Sequence, residues 1–187
     1  MGKTYIILGG LTMENTCDFT LRKIFKYTLL LGLVASLSHF VYELSGKNLI
    51  VGLLNPVNES IWEHLKFMFF PFLIWWLLIY IIKNKKCKST LNSWIVSGGI
   101  SLFAAPLLVV LLYYAYTEAL GIESVVIDVL LVFISYFIAL SIGSHFLKYS
   151  RPKMWASIIW LIVIAVIFIA LIVFTIYPPD LPIFHIP

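Results

Sequence analysis

Two imidazoles, His39 and His64, and three carboxylates, Glu43, Glu59 and Glu63, stand close together in an otherwise apolar chain. Histidine and carboxylate side chains are a ligand set for a divalent metal such as zinc or iron. The same groups can relay protons, because imidazole titrates near neutrality and burial raises a carboxylate's pKa. Most of them fall in the run Asn58-Glu59-Ser60-Ile61-Trp62-Glu63-His64-Leu65-Lys66. At ~100° per helical residue, Glu59, Ser60, Glu63, His64 and Lys66 occupy one arc of about 160°, with Ile61, Trp62 and Leu65 on the other side. Upstream, Gly32, Ser36, His39 and Glu43 recur at helical spacing and share a face.

The candidate binding residues are therefore His39, Glu43, Asn58, Glu59, Ser60, Glu63, His64 and Lys66. His39, Glu59, Glu63 and His64 are the candidate metal ligands, and Glu63 or Glu59 the candidate general base. Three carboxylates against one lysine leave the group negative, which favours a cation. A structural assignment competes. Ser60-Ile61-Trp62-Glu63 is also a capping box, Glu63 and Lys66 can pair at i and i+3, and Glu43 can sit in headgroup water.

The elements that carry these groups follow from composition. The chain has 187 residues, of which 61% are hydrophobic and 12% charged. A soluble domain carries about 25% charged residues and buries only ~70% of its chain surface, so the solvent for most of this sequence is lipid. Five segments are long and apolar enough to span: about 24–44, 58–82, 91–115, 124–147 and 153–176. They must be helices, because lipid offers backbone N–H and C=O groups no partners. The expected fold is all-α, one polytopic transmembrane bundle over 1–187, with Asn55-Pro56 starting the second span.

Basic residues set the orientation. Arg22, Lys23 and Lys26 precede the first span, Lys83, Lys85, Lys86 and Lys88 fill the second loop, and Lys148, Arg151 and Lys153 fill the fourth. The alternate loops hold only Lys47, with Glu118 and Glu123 in the third. This predicts residues 1–22 in the cytoplasm and the tail 177–187 outside. The basic clusters are topology signals, not a nucleic-acid surface. The first twenty residues do not read as a signal peptide, Tyr5 to Gly10 is too short to span, and Met13 offers an alternative start. Cys17 and Cys87 both fall on the cytoplasmic side, where inert thiols are expected.

Within the spans, Ser93, Ser97 and Ser101 with Gly98 and Gly99 form a small stripe that lets a helix approach closely, as do Ala139 and Gly143. Pro71 and Pro106 each leave a carbonyl one turn earlier without its helical partner. The fifth span is nearly all aliphatic and faces lipid, with Trp155, Trp160 and Tyr177 near the interfaces. His145 reads as an interfacial histidine, and Asp128 as a carboxylate favouring a helix N-terminus. Asp180 and His185 sit in a proline-rich tail that either folds over the outer mouth or stays disordered.

The run from Asn58 to Lys66, ending in Phe69-Phe70-Pro71, resembles a family of small bacterial multi-pass membrane proteins of unknown function. His39 to Gly46 and Asn48 to Pro56 look like that family's first loop. The resemblance covers residues 36–72, and the other spans by general pattern. It implies a multi-pass fold in the bacterial cytoplasmic membrane and brings no activity. It also implies an acidic residue before the final proline, where Ile186 stands. No H-E-x-x-H, adjacent double-glutamate or Gly-x-Ser-x-Gly motif is present. Two readings follow. The first is an outward-facing pocket for a cation or small polar solute, in a transport-related subunit with the lipid bilayer, a partner subunit or a second copy around it. The second is a metal-dependent hydrolase at the outer leaflet.

Overall fold

Long apolar runs closed by polar caps decide the architecture. The structure is a computed structural model that describes residues 5–8, 11–14, 19–85, 87 and 89–186. Its helices are α1 (Leu21–Ser38), α2 (Val41–Leu44), α3 (Leu49–Leu54), α4 (Ile61–Lys83), α5 (Leu91–Leu120), α6 (Val125–Tyr149) and α7 (Met154–Ile176). A short 3-10 turn, Pro182–Phe184, closes the tail. Strands β1 (Tyr5–Leu8) and β2 (Leu11–Glu14) pair as an antiparallel hairpin, which an all-α expectation did not contain. Among the described residues four helices, α4 to α7, are long and apolar enough to cross a membrane.

The first expected span differs most. It is not one helix over 24–44: α1 stops at Ser38, and its first two turns carry Arg22, Lys23 and Lys26. The Ser36 and Ser38 hydroxyls bond back to the Gly32 and Ala35 carbonyls at 2.9 and 2.7 Å. The Phe40 amide then donates to Leu37, three residues back, so the last turn tightens and the helix ends. At 1.5 Å per residue α1 is about 27 Å long, close to the ~30 Å hydrocarbon thickness. The start of α4 also shifts. Asn55 caps the end of α3, its side chain donating to the Val51 carbonyl at 3.1 Å, and Ser60 rather than Asn55 caps α4.

The long helices run alternately up and down. Lys83 at the end of α4 lies 4.3 Å from the Phe19 ring, just before α1. At the same end the Ser93 hydroxyl of α5 donates to the Ser150 carbonyl after α6 (3.3 Å), and Ser157 of α7 to the Asn92 carbonyl (3.4 Å). Cys87 is buried in the same apolar cluster as Phe19 and is disulfide-bonded. The inert thiol expected there is thus corrected, because the loop after α4 folds back onto the start of α1; Cys17, Lys86 and Lys88 lie outside the described residues.

Small residues set the closest packing. Ser93, Ser97 and Ser101 are fully buried. The Ser101 hydroxyl donates to its own helix at Ser97 (2.9 Å) and across to the Ala139 carbonyl of α6 (3.0 Å). Gly143 faces them, and Gly99 receives the half-buried Trp160 side chain. α7 is the peripheral helix, with only 6% of its apolar window buried.

Pro71 shows how a missing donor is repaired. It leaves the Phe67 carbonyl without an amide partner, and the fully buried Tyr136 hydroxyl of α6 donates to that carbonyl at 2.5 Å. A Tyr136→Phe variant is expected to lose roughly 1–3 kcal/mol, the cost of a buried acceptor left unpaired. Thermal unfolding in detergent measures it, and an unchanged midpoint would show the bond to be idle.

Candidate functional site

The ends of α1 and α4 touch at the pole of the bundle opposite Lys83. His39 follows the last residue of α1, and His64 sits in the first turn of α4, with ring centroids 5.7 Å apart. Glu59 lies between them on the loop before α4. Its two carboxylate oxygens stand 3.4 Å from His39 Nε2 and 3.5 Å from His64 Nε2. One ligand atom from each of the three residues lies within 4.8 Å of the others. The imidazoles are about one-third exposed and Glu59 more so, which leaves the group open to water.

The tautomer of His64 follows from its partner. Its Nδ1 lies 2.7 Å from the Ser60 carbonyl, which only accepts, so Nδ1 carries the hydrogen. In the neutral ring Nε2 then presents a lone pair to a carboxylate oxygen. Two electron-rich atoms at that distance need a proton or a cation between them. Zinc bonds of 2.0–2.2 Å in tetrahedral geometry place ligand atoms about 3.4 Å apart, close to both histidine–carboxylate separations. An Nδ1 anchored on a backbone carbonyl is the usual outer support of a metal-binding histidine. Beside the group is an open depression of about 230 Å³, lined by Tyr42, Glu43, Pro56, Val57 and Asn58 among others.

Glu63 and Lys66 stand apart from this group. Glu63 does not join the histidines, although it neighbours His64, because successive helical residues point ~100° apart. Its carboxylate is buried and faces α3 and α7. Oε2 receives Lys66 Nζ at 2.6 Å and the Val57 amide at 3.0 Å, and Oε1 receives the Thr175 hydroxyl at 3.0 Å. Lys66 is fully buried and spends its three protons on Glu63, the Gly52 carbonyl (2.6 Å) and the Asn55 carbonyl (3.2 Å). Glu63, a candidate metal ligand and base, and Lys66, a candidate binding residue, are thus engaged with each other and lie apart from the two histidines. Only half of the capping box forms. The Glu63 amide donates to Ser60 Oγ at 3.3 Å, while the Ser60 amide donates to the Asn58 side chain at 2.9 Å.

Glu43 leaves the helix face it was expected to share with His39, since α1 has ended; it pairs with Lys47 at 3.8 Å on the surface. His145 is exposed and lies against Tyr149, ring centroids 4.7 Å apart. Asp128 accepts a hydrogen bond from the Tyr116 hydroxyl of α5. In the tail, Asp180 and His185 pair at 2.9 Å, and Phe184 packs on Trp62, centroids 4.8 Å apart. The residues that sequence reasoning missed are Thr175, Gly52, Asn55 and Val57, the partners of the buried pair. Three of them contribute only backbone atoms, which leave no trace in residue type.

No curated protein and no solved structure matches the chain. A family profile matches it over residues 13–186, a range that includes the histidine–carboxylate group and all four long apolar helices. The chain belongs to that family, described as a family of unknown function, DUF6512.

Proposed function

We propose that this chain is a five-span protein of the bacterial cytoplasmic membrane that binds a divalent cation, zinc or iron, in an outward-facing pocket, as a transport-related subunit. The single supporting observation is the convergence of His39, Glu59 and His64, with ligand atoms within 4.8 Å. α1 counts as the fifth span, its charged first turns lying at the membrane surface. Charge segregation supports the orientation. Arg22, Lys23, Lys26, Lys83, Lys85, Lys148, Arg151 and Lys153 gather at one end of the bundle, while Glu43, Glu59, Glu118, Glu123, Asp128 and Asp180 lie at the other. The bonded Cys87 weighs the other way, because cytosolic disulfides are rare. The charge pattern outweighs it, being spread over several separate chain segments. A path through the apolar half of the bundle would need a partner subunit or a second copy.

The hydrolase reading is weaker. Glu63 is committed to Lys66, and Glu59 is needed as a ligand, so neither predicted base is free. Zinc titration of the purified protein in detergent tests the cation reading. One equivalent is expected to bind, with His39→Ala and His64→Ala each weakening binding at least ~10-fold, as loss of one of three ligands would. Wild-type protein that binds no zinc, or variants that bind it equally well, would remove the proposal.

A further inference from the structure

The buried pair Glu63–Lys66 lies outside the cation group, yet three of its bonds end on α3 and on the loop that carries Glu59. Lys66 Nζ holds the Gly52 and Asn55 carbonyls, near and just past the end of α3, where helix carbonyls lack intrahelical partners. Glu63 Oε2 holds the Val57 amide, two residues before Glu59. The Asn58 side chain and the Ser60 amide close the turn on either side of Glu59. The loop from Asn55 to Ser60 is thus pinned at Asn55, Val57, Asn58 and Ser60. Glu59 is the one exposed carboxylate it projects, and it projects between the two imidazoles.

The far side of the pair reaches α7. Thr175 Oγ1 donates to Glu63 Oε1 at 3.0 Å, sharing its single proton with the Leu171 carbonyl at 2.7 Å. The pair therefore stands between the last long helix and the loop. Its three charge-bearing atoms are out of water, and each is bonded to at least one fixed partner. A support of that kind fixes the backbone ahead of Glu59, and partners outside the ligand shell orient metal ligands.

We infer that Glu63, Lys66 and Thr175 are positioning residues that hold Glu59 in register with His39 and His64, so that the cation site is built only when α7 is docked. The inference rests on the cation reading above, and the two fail differently. Cobalt serves as the probe, because its visible spectrum reports coordination geometry for each bound ion and not the amount of folded protein. The double variant Glu63→Gln/Lys66→Met removes the charges together. Thr175→Val removes one hydroxyl and nothing else, and covers the case in which the double variant does not fold. Thr175→Ser restores that hydroxyl.

The double variant is expected to bind cobalt about 10- to 100-fold more weakly, the range for loss of an outer support, and Thr175→Val about 3-fold more weakly. Both are expected to show an altered cobalt spectrum at saturation, and Thr175→Ser the wild-type affinity and spectrum. Wild-type affinity and spectrum in Thr175→Val would overturn the positioning role while leaving the cation site intact. Absence of cobalt and zinc binding by the wild-type protein would overturn the cation reading, and this inference with it.

Discussion

Lys66→Ala is expected to be the most damaging single substitution at the pole of the bundle, costing about 3–5 kcal/mol. The ammonium is fully buried and sits 2.6 Å from Glu63. Removing it leaves a buried carboxylate without its counter-charge and two carbonyls, Gly52 and Asn55, without that donor. The cost comes from the stranded charge more than from the lost pair. Accordingly Glu63→Gln/Lys66→Met, which strands no charge, is expected to recover most of the loss. Thermal unfolding of both proteins in detergent measures the difference. Equal midpoints for Lys66→Ala and wild type would mean that water reaches the pair freely.

Gly143→Leu is expected to separate α5 from α6, or to prevent the bundle from forming. Even a single added carbon there would overlap the Ser101 hydroxyl and lie 2.9 Å from the Trp76 ring and 3.0 Å from the Ser97 carbonyl. The ring and the backbone cannot yield, since Trp76 and Ser97 are both buried. Overpacking typically costs ~1–3 kcal/mol, and a leucine at a position with no room for a methyl exceeds that range. Gly46→Leu, where nothing lies within 4 Å, serves as the comparison in exposed surroundings, although its φ of +71° adds local strain. If Gly143→Leu unfolds at the wild-type temperature, the close helix contact through Ser97 and Ser101 is not as described.

The sequence carried the long helices and lost the details at their ends. Apolar length alone located α4 to α7, and the serine–glycine stripe at Ser93, Ser97, Ser101 and Gly99 told which faces would meet, because both signals are written in side-chain type. The break after α1 was not readable, since it depends on hydroxyls of Ser36 and Ser38 choosing backbone carbonyls over other partners. Asn55-Pro56 looked like a helix start because the residue types were right, but Asn58 formed its own turn and passed the cap to Ser60. His39 and His64 could be paired from the short connection between the two spans. Separating Glu59 from Glu63 could not be done on helical phase, because Glu59 lies before the helix begins. The fate of Glu63 was decided by Thr175, 112 residues downstream, and by backbone atoms of α3.

That distance has a consequence for biosynthesis. When α4 leaves the ribosome and enters the membrane, Thr175 has not yet been translated. Oε1 of Glu63 therefore waits without this partner until α7, the last long helix made and the least enclosed, comes to rest against the others. A nascent chain halted before α7 would keep the bonds of the pair to Val57, Gly52 and Asn55 and lack only the one from Thr175.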